Sequence, residues 1–144
     1  MRHTFIILGL ALLTLGTIAC HNGKTKSKDK TEKKDLKPTT IEFPEKNHDF
    51  GKITQGEKIS HVFIFKNTGE NPLVITQVQP SCGCTIPEWT EDPIDPGKEG
   101  TIHVMFNSEG KEGMQHKTVT VVANTTPARS ELTFTAEVLK KQNK

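Results

Sequence analysis

Two cysteines separated by one residue are the most chemically distinctive feature of the sequence. They lie in the run Ser81-Cys82-Gly83-Cys84-Thr85. In an extended chain their Cα atoms would be about 6.6 Å apart, at the edge of disulfide geometry, and a bend at Gly83 would bring them closer. The spacing favours a structural role, as buried thiols or a local disulfide. A strained, reducible redox bond and a thiolate metal site are the alternatives.

A metal site at Cys82 and Cys84 would need ligands from elsewhere in the chain, because two thiolates are half of a closed zinc site. None of the histidines or methionines that could supply them has a helpful local spacing. The candidates are His48, His61, His103, His116, Met105 and Met114. We therefore expect no resident metal or cofactor.

A group of acidic residues surrounds the single tryptophan, Trp89. This group could form a glycan-binding or glycan-acting loop with paired carboxylates and an aromatic platform, but acidic residues in a proline-rich loop more often form turns, and Trp89 could cover the end of a sandwich. The acidic residues are Glu88, Glu91, Asp92 and Asp95. The sequence contains no phosphate-binding loop and no nucleophile elbow, so we expect no enzymatic activity.

The N-terminus has the features of a bacterial lipoprotein signal peptide, residues 1–19. Arg2 precedes an apolar stretch that carries no charge from Thr4 through Cys20 and is shorter than the roughly 20 residues of a membrane-spanning helix. Ala19 and Cys20 resemble a lipobox, in which the cysteine is lipidated and becomes the new N-terminus, although Thr17 departs from the usual large aliphatic residue. The sequence therefore predicts lipidation at Cys20, with a plain cleaved signal peptide as the alternative.

Residues 20–37 are predicted to be a solvated tether. Between His21 and Lys37 there are seven lysines and three acidic residues, a net charge of +4, and one aliphatic residue. Such a composition cannot form a core, but it could favour an anionic lipid surface or simply keep the spacer soluble. Residues 38–144 have a net charge of −3, so the positive charge of the whole chain comes from the signal peptide, the tether and the lysines of the basic tail 140–144. It does not indicate nucleic-acid binding.

Residues 38–139 have the pattern of one all-β domain. Short apolar runs separated by Pro, Gly and Asn are typical of a sandwich of about seven strands. The runs are Thr40 to Phe43, Ile59 to Phe65, Leu73 to Val78, Thr101 to Phe106, Thr118 to Ala123 and Leu132 to Leu139.

The last three runs alternate between apolar and polar residues, which predicts strands with one face in the core. The predicted core residues are Ile102, Val104, Phe106, Val119, Val121, Ala123, Leu132, Phe134, Ala136 and Val138. The run Val62-Phe63-Ile64-Phe65 is apolar on both sides, so we expect a central strand covered on both faces. Turns are predicted at Asn67-Thr68-Gly69 and Asp95-Pro96-Gly97, and a loop at 107–113.

Several separated motifs resemble, in order, the family called domain of unknown function 1573, over about residues 40–139. They are Asp49-Phe50-Gly51, Phe65-Lys66-Asn67-Thr68-Gly69, Ser81-Cys82-Gly83-Cys84-Thr85 with Pro87 and Trp89, Pro93-Ile94 with Pro96-Gly97, Phe106-Asn107-Ser108 with Gly110 and Gly113, and Val121 to Asn124. The resemblance implies an immunoglobulin-like sandwich, common in exported lipoproteins of Bacteroidetes-type bacteria, with no established activity. Similar sandwiches in pilus-chaperone-like and cilium-associated domains bind other proteins.

These observations together predict a non-enzymatic envelope lipoprotein with a protein partner, anchored through Cys20 and facing the periplasm. The basic tether favours the periplasmic orientation, because it lacks the acidic run that follows the lipidated cysteine in surface-exported lipoproteins of such bacteria. A metal-binding or thiol-redox protein using Cys82 and Cys84 is the alternative, and a glycan-binding or glycan-acting loop around Trp89 ranks third.

Overall fold

Eight β-strands form from the short apolar runs and the segments between them. The computed structural model describes residues 36–141, so the predicted signal peptide, Cys20 and the tether up to residue 35 lie outside the described residues. The strands are β1 (Ile41–Glu42), β2 (Asn47–Thr54), β3 (Lys58–Asn67), β4 (Ile75–Pro80), β5 (Thr85–Trp89), β6 (Glu99–Asn107), β7 (Gly113–Ala123) and β8 (Arg129–Leu139). Between residues 36 and 141 there is no helix long and apolar enough to span a membrane.

The strands form two four-stranded sheets that pack into a sandwich. The first sheet has the order β1-β3-β6-β5 and the second the order β2-β8-β7-β4. All strand pairs are antiparallel except β2 and β8, which are parallel. The predicted all-β sandwich is confirmed, with eight strands and one parallel pair.

The core lies between the sheets and consists of the inward side chains of alternating strands. All ten residues predicted for the core are buried. Eight further hydrophobic side chains that the clean alternation had not included join them, and four of these are at most 7% exposed at edge positions: Phe43, Ile53, Ile75 and Val78. The other four are Phe63, Phe65, Leu73 and Ile94. Because the side chains of a strand alternate between its two faces, every second residue of each strand points into this core layer.

The prediction that Val62-Phe63-Ile64-Phe65 is covered on both faces is wrong. Phe63 and Phe65 point into the core, whereas Val62 is 46% exposed and Ile64 is 48% exposed. Strand β3 does lie inside its sheet, between β1 and β6. Among residues 36–141, however, nothing packs on the outer face of this sheet closely enough to bury these two side chains. The apolar character of that face is therefore left to solvent or to a partner.

Strands β2 and β5 were not among the predicted runs, and both lie at sheet edges. In β2, the inward alternation of His48 and Phe50 shifts by one residue to Ile53 across a bulge at Gly51, where φ is +66°. This shift hides the period of two in the sequence. Strand β5 contains Pro87, which edge strands tolerate because one side of the strand needs no ladder hydrogen bond.

The turns predicted after β3 and before β6 are confirmed, and in the first of them Gly69 N donates to Asn67 Oδ1 over 3.1 Å. Lys98 N donates to Asp95 O over 3.0 Å, and Gly97 adopts a φ of +77° that favours glycine. Strand β6 ends at Asn107 and β7 begins at Gly113, which agrees with the predicted loop.

Candidate functional site

The cysteine pair lies in the bend that carries the chain from β4 in one sheet to β5 in the other. Cys82 and Cys84 are joined by a disulfide, and their Cα atoms are 5.3 Å apart, closer than in an extended chain. Both residues are half-buried, and Cys84 packs against the core. The bonded pair offers no thiolate, and thiolate is the form of cysteine that binds metals. A redox role for the pair stays a prediction.

Two of the histidines that were candidate metal ligands come together with each other and with Glu45. His48 Nδ1 lies 2.9 Å from Glu45 Oε1, and His61 Nε2 lies 3.2 Å from Glu45 Oε2. The carboxylate accepts both hydrogen bonds. The three ligand atoms all lie within 4.8 Å of one another. We call these residues the Glu45–His48–His61 cluster.

The fold brings this cluster together from three elements. Glu45 lies between β1 and β2, His48 on β2 and His61 on β3, so the cluster joins strands of the two sheets. The two imidazole rings stack with centroids 3.5 Å apart and planes 14° apart. Phe50 meets His48 edge-on at 4.6 Å and Phe63 meets His61 edge-on at 4.7 Å. The aromatic edges hold the rings from the core side and leave Glu45 toward solvent.

Two carboxyl groups near β2 have altered acidity. The hydrogen bond from His48 lowers the pKa of the Glu45 carboxyl, and the charge of His61 lowers it further. The hydrogen bond from Gly51 N lowers the pKa of Asp49, aided by the Thr135 hydroxyl. Asp49 Oδ1 accepts these two bonds over 3.0 and 2.8 Å, so Asp49 links β2 to β8 and is separate from the cluster.

The other candidate ligands lie elsewhere. His103 Nδ1 is 3.8 Å from Glu88 Oε2 on the outer face of the first sheet, and His116 is exposed. Met114 is exposed and Met105 is half-buried. Among residues 36–141, neither Cys82 nor Cys84 belongs to a group of three potential ligands.

The acidic residues around Trp89 are exposed, whereas Trp89 itself is half-buried and packs against the core. Glu88 faces His103 across the β5–β6 pairing. The tryptophan ring therefore helps to close the sandwich.

A second polar cluster, which the sequence did not predict, lies at the end of β3. Asn67 is fully buried, its Oδ1 accepts hydrogen bonds from Thr39 Oγ1 and Gly69 N, and its Nδ2 donates to Asn71 O and Ile94 O. We call this group the Asn67 cluster. The Asn-Thr-Gly sequence predicted only a turn, because nothing local indicates which side chain of a turn points inward.

The outer face of the first sheet carries three exposed aliphatic side chains, Val62, Ile64 and Ile86. Strand register places Val62 opposite His103 and Ile86 opposite Met105. We call Val62, Ile64, Ile86 and Met105 the outer apolar face. Isolated exposed aliphatic residues are ordinary, but a group of them across adjacent strands is typical of a contact surface.

The sequence also matches a protein-family model. Residues 41–138 match the model described as a protein of unknown function, DUF1573. The chain belongs to the DUF1573 family. The resemblance inferred from the motifs is thereby confirmed. No curated protein matches the sequence significantly.

Solved structures share the fold of this DUF1573 domain. A Porphyromonas gingivalis W83 protein of unknown function is 17% identical, with a TM-score of 0.62 over 71% of this chain and 48% of its own. The secreted serine protease VesC of Vibrio cholerae is 10% identical, with a TM-score of 0.55 over 76% of this chain and 25% of its own. An ASH/PapD-like domain of human CEP192 is 9% identical, with a TM-score of 0.56 over 95% of this chain and 100% of its own.

These likenesses show the fold alone, because each identity is far below the level at which a function could be transferred. The chain spans about half the length of the Porphyromonas protein and a quarter of VesC. The PapD-like match confirms the predicted immunoglobulin-like sandwich.

Several DUF1573 motifs contain a polar side chain that fixes a loop. Asp49 holds the β2 bulge, Asn67 holds the turn after β3, and Ser108 Oγ donates to Thr54 O and Glu57 O. Asn124 Oδ1 accepts a hydrogen bond from Val74 N over 2.7 Å. These polar residues thus have structural roles that satisfy backbone groups between strands.

Proposed function

We propose that this DUF1573 domain is a non-enzymatic protein-binding module held at the bacterial envelope by lipid on Cys20. The observation that carries the proposal is the outer apolar face. Val62, Ile64 and Ile86 are each about half exposed, and covering side chains of this size gains about 1 kcal/mol each. The partner is a protein of the envelope with an apolar surface.

The shape of this face supports a protein partner over a small ligand. Small molecules bind in concave pockets that surround them, whereas proteins bind across broad, nearly flat surfaces. The outer apolar face extends over three hydrogen-bonded strands, β3, β6 and β5. Polar residues border it, including Lys66 and Glu88, and His103 on β6 lies within it between Val62 and Glu88.

The arrangement of polar groups supports a function without catalysis. Between residues 36 and 141 no Ser, Thr or Cys side chain is hydrogen-bonded to a histidine, which is the usual sign of an activated nucleophile. The two histidines that bond a carboxylate do so on the same residue, Glu45.

Site-specific photo-crosslinking tests the proposed surface. A photoreactive amino acid at position 64 or 86, in the full chain expressed in its native bacterium, should give one discrete adduct that mass spectrometry identifies as an envelope protein. The same amino acid at Glu131, exposed on the other sheet, is the control and should give none. Val62→Lys should abolish the adduct formed from position 64.

Absence of an adduct from both test positions, or the same adduct from position 131, would overturn the proposed surface. An adduct of two copies of this chain would replace the partner with self-association. Cys20→Ala tests the anchor separately, and we expect it to release the protein from the membrane fraction. A Cys20→Ala variant that stays membrane-bound would contradict lipid anchoring.

The alternative function, thiol-redox chemistry at Cys82 and Cys84, is favoured by the partial exposure of their disulfide. Thiol counting on the purified protein distinguishes it. A redox role requires two thiols to appear under mild reduction and to disappear on reoxidation, without unfolding. A disulfide that is reduced only after the protein is denatured has a structural role.

A further inference from the structure

The Glu45–His48–His61 cluster has the ligand types of a transition-metal site. Imidazole nitrogen and carboxylate oxygen are ligands of zinc and of other divalent first-row ions. Each residue contributes one ligand atom, and the three atoms lie within 4.8 Å of one another. From these observations we infer that the cluster binds one divalent transition-metal ion, for which Zn²⁺ is the probe.

The distances are close to those that an ion requires. Two ligand atoms at about 2.1 Å from a tetrahedral zinc ion are about 3.4 Å apart. The nitrogens of His48 and His61 already lie 2.9 and 3.2 Å from the two oxygens of Glu45. An ion would replace these two hydrogen bonds. Each ligating nitrogen would give up the proton that it donates to Glu45, and each ring would bind the ion in its neutral form, with a proton on its other nitrogen.

Binding also predicts a movement of the rings. Lone pairs in two stacked rings, with planes 14° apart, cannot both point at one ion between them, so the rings must open into a V. The side chains of His48 and His61 are 27% and 20% exposed, and that of Glu45 is 46% exposed. The open solvent side therefore gives the ion access and gives the rings space.

The surroundings limit this movement to the solvent side. Phe50 packs edge-on against Phe134 at 5.6 Å and against His48, and Phe63 supports His61. An apolar layer behind metal ligands is common, because it fixes their orientation and lowers the local dielectric constant. Three protein ligands leave one position for water or for a donor from another molecule.

The position of the cluster gives the ion a structural effect. His48 belongs to one sheet and His61 to the other, so a bound ion would cross-link strands β2 and β3 at the edge of the sandwich. An ion that binds only the folded chain stabilises it by mass action. Zinc should therefore raise the melting temperature of the protein.

Calorimetric titration of the tag-free, metal-depleted full chain with Zn²⁺ tests the site. We expect one ion per chain, with affinity at least about tenfold weaker in His48→Gln, His61→Gln and Glu45→Gln. The matched controls are His116→Gln and Glu42→Gln, which change exposed residues of the same types outside the cluster and should bind as the wild type does.

Co²⁺ provides a second measurement that does not depend on how the ring variants fold. Its visible absorption should show nitrogen and oxygen ligands and no thiolate charge-transfer band, and it should be lost in Glu45→Gln, a change in an exposed loop. A wild-type Kd above about 1 mM, or cluster variants that bind like the controls, would overturn the inference. A thiolate band would also overturn it, because the Glu45–His48–His61 cluster contains no cysteine.

Discussion

The Asn67 cluster and the Glu45–His48–His61 cluster both join segments that are distant in sequence, but they differ in burial and in spare bonding capacity. Asn67 is fully buried, and its amide makes four hydrogen bonds, two of them to backbone carbonyls. Glu45 is about half exposed, and its two bonds go to side chains that can move. The hydrogen bonds of Asn67 serve only to hold the fold together, whereas those of Glu45 can be replaced by bonds to a ligand.

Truncating the buried amide should have the largest effect. Asn67→Ala would remove the partner of the Asn71 carbonyl, the Gly69 N–H and the buried Thr39 hydroxyl, whereas Ile94 O would keep its bond from Leu73 N. Because each unsatisfied buried group costs about 1–3 kcal/mol, we expect a loss of about 3–5 kcal/mol in the free energy of unfolding, measured by urea denaturation.

Asn107→Ala is the matched control. Asn107 is half-buried, and its Oδ1 accepts one exposed hydrogen bond from Glu109 N, so its loss should cost about 1 kcal/mol or less. Equal losses in the two variants would contradict the role of Asn67 as a buried centre of hydrogen bonds.

The second largest effect should come from Gly69→Ala, beside the same amide. A Cβ at this position would lie 2.6 Å from Thr40 N and would also collide with Thr39 Oγ1. Because a backbone atom cannot easily move aside, we expect a loss of about 1–3 kcal/mol. Gly83→Ala is the control, since its Cβ would meet nothing within 4 Å and should leave stability nearly unchanged. If Gly69→Ala leaves the free energy of unfolding unchanged, the segments of the Asn67 cluster can move apart to make room for the added methyl group.

The disulfide provides a reference of intermediate size, independent of both clusters. Joining Cys82 to Cys84 closes a loop of three residues, and the entropy of such a loop is worth about 1.6 kcal/mol. Cys82→Ser/Cys84→Ser should therefore lower the free energy of unfolding by up to about that amount. Reduction of the wild type should produce the same loss. A much larger loss in the double variant alone would indicate that the sulfur atoms matter for packing.

Glu45→Gln in metal-free protein should have the smallest effect. Its carboxylate is about half exposed, and solvent-exposed ion pairs contribute about 0.2–1 kcal/mol. Thermal melting with and without Zn²⁺ should show little change without metal and loss of the zinc-dependent stabilisation. Glu42→Gln should keep that stabilisation. If Glu45→Gln lowers the stability of the metal-free protein as much as Asn67→Ala does, the Glu45–His48–His61 cluster is already a fixed structural element.

The interior strands were predictable because their hydrophobic period is a local property. The alternation in β6, β7 and β8 correctly identified ten core residues, and the proline and glycine positions identified the turns. Strand β2 was missed because the bulge at Gly51 shifts its period. The central run of β3 was predicted to be covered on both faces, but its outer side chains are exposed. Both errors concern which strands and side chains lie beside a segment in the folded protein, and the pattern of apolar residues along the chain does not predict this.

The sequence by itself determined the β-sandwich, its core-facing residues and the closeness of Cys82 to Cys84, because alternation and short spacing depend only on neighbouring residues. Tertiary structure decided which polar residues meet. Glu45 and His48 are only three residues apart, but His61 joins them only where β2 of one sheet passes β3 of the other. Asn67 becomes a buried hub only because the segments at Thr39 and Ile94 pack beside it.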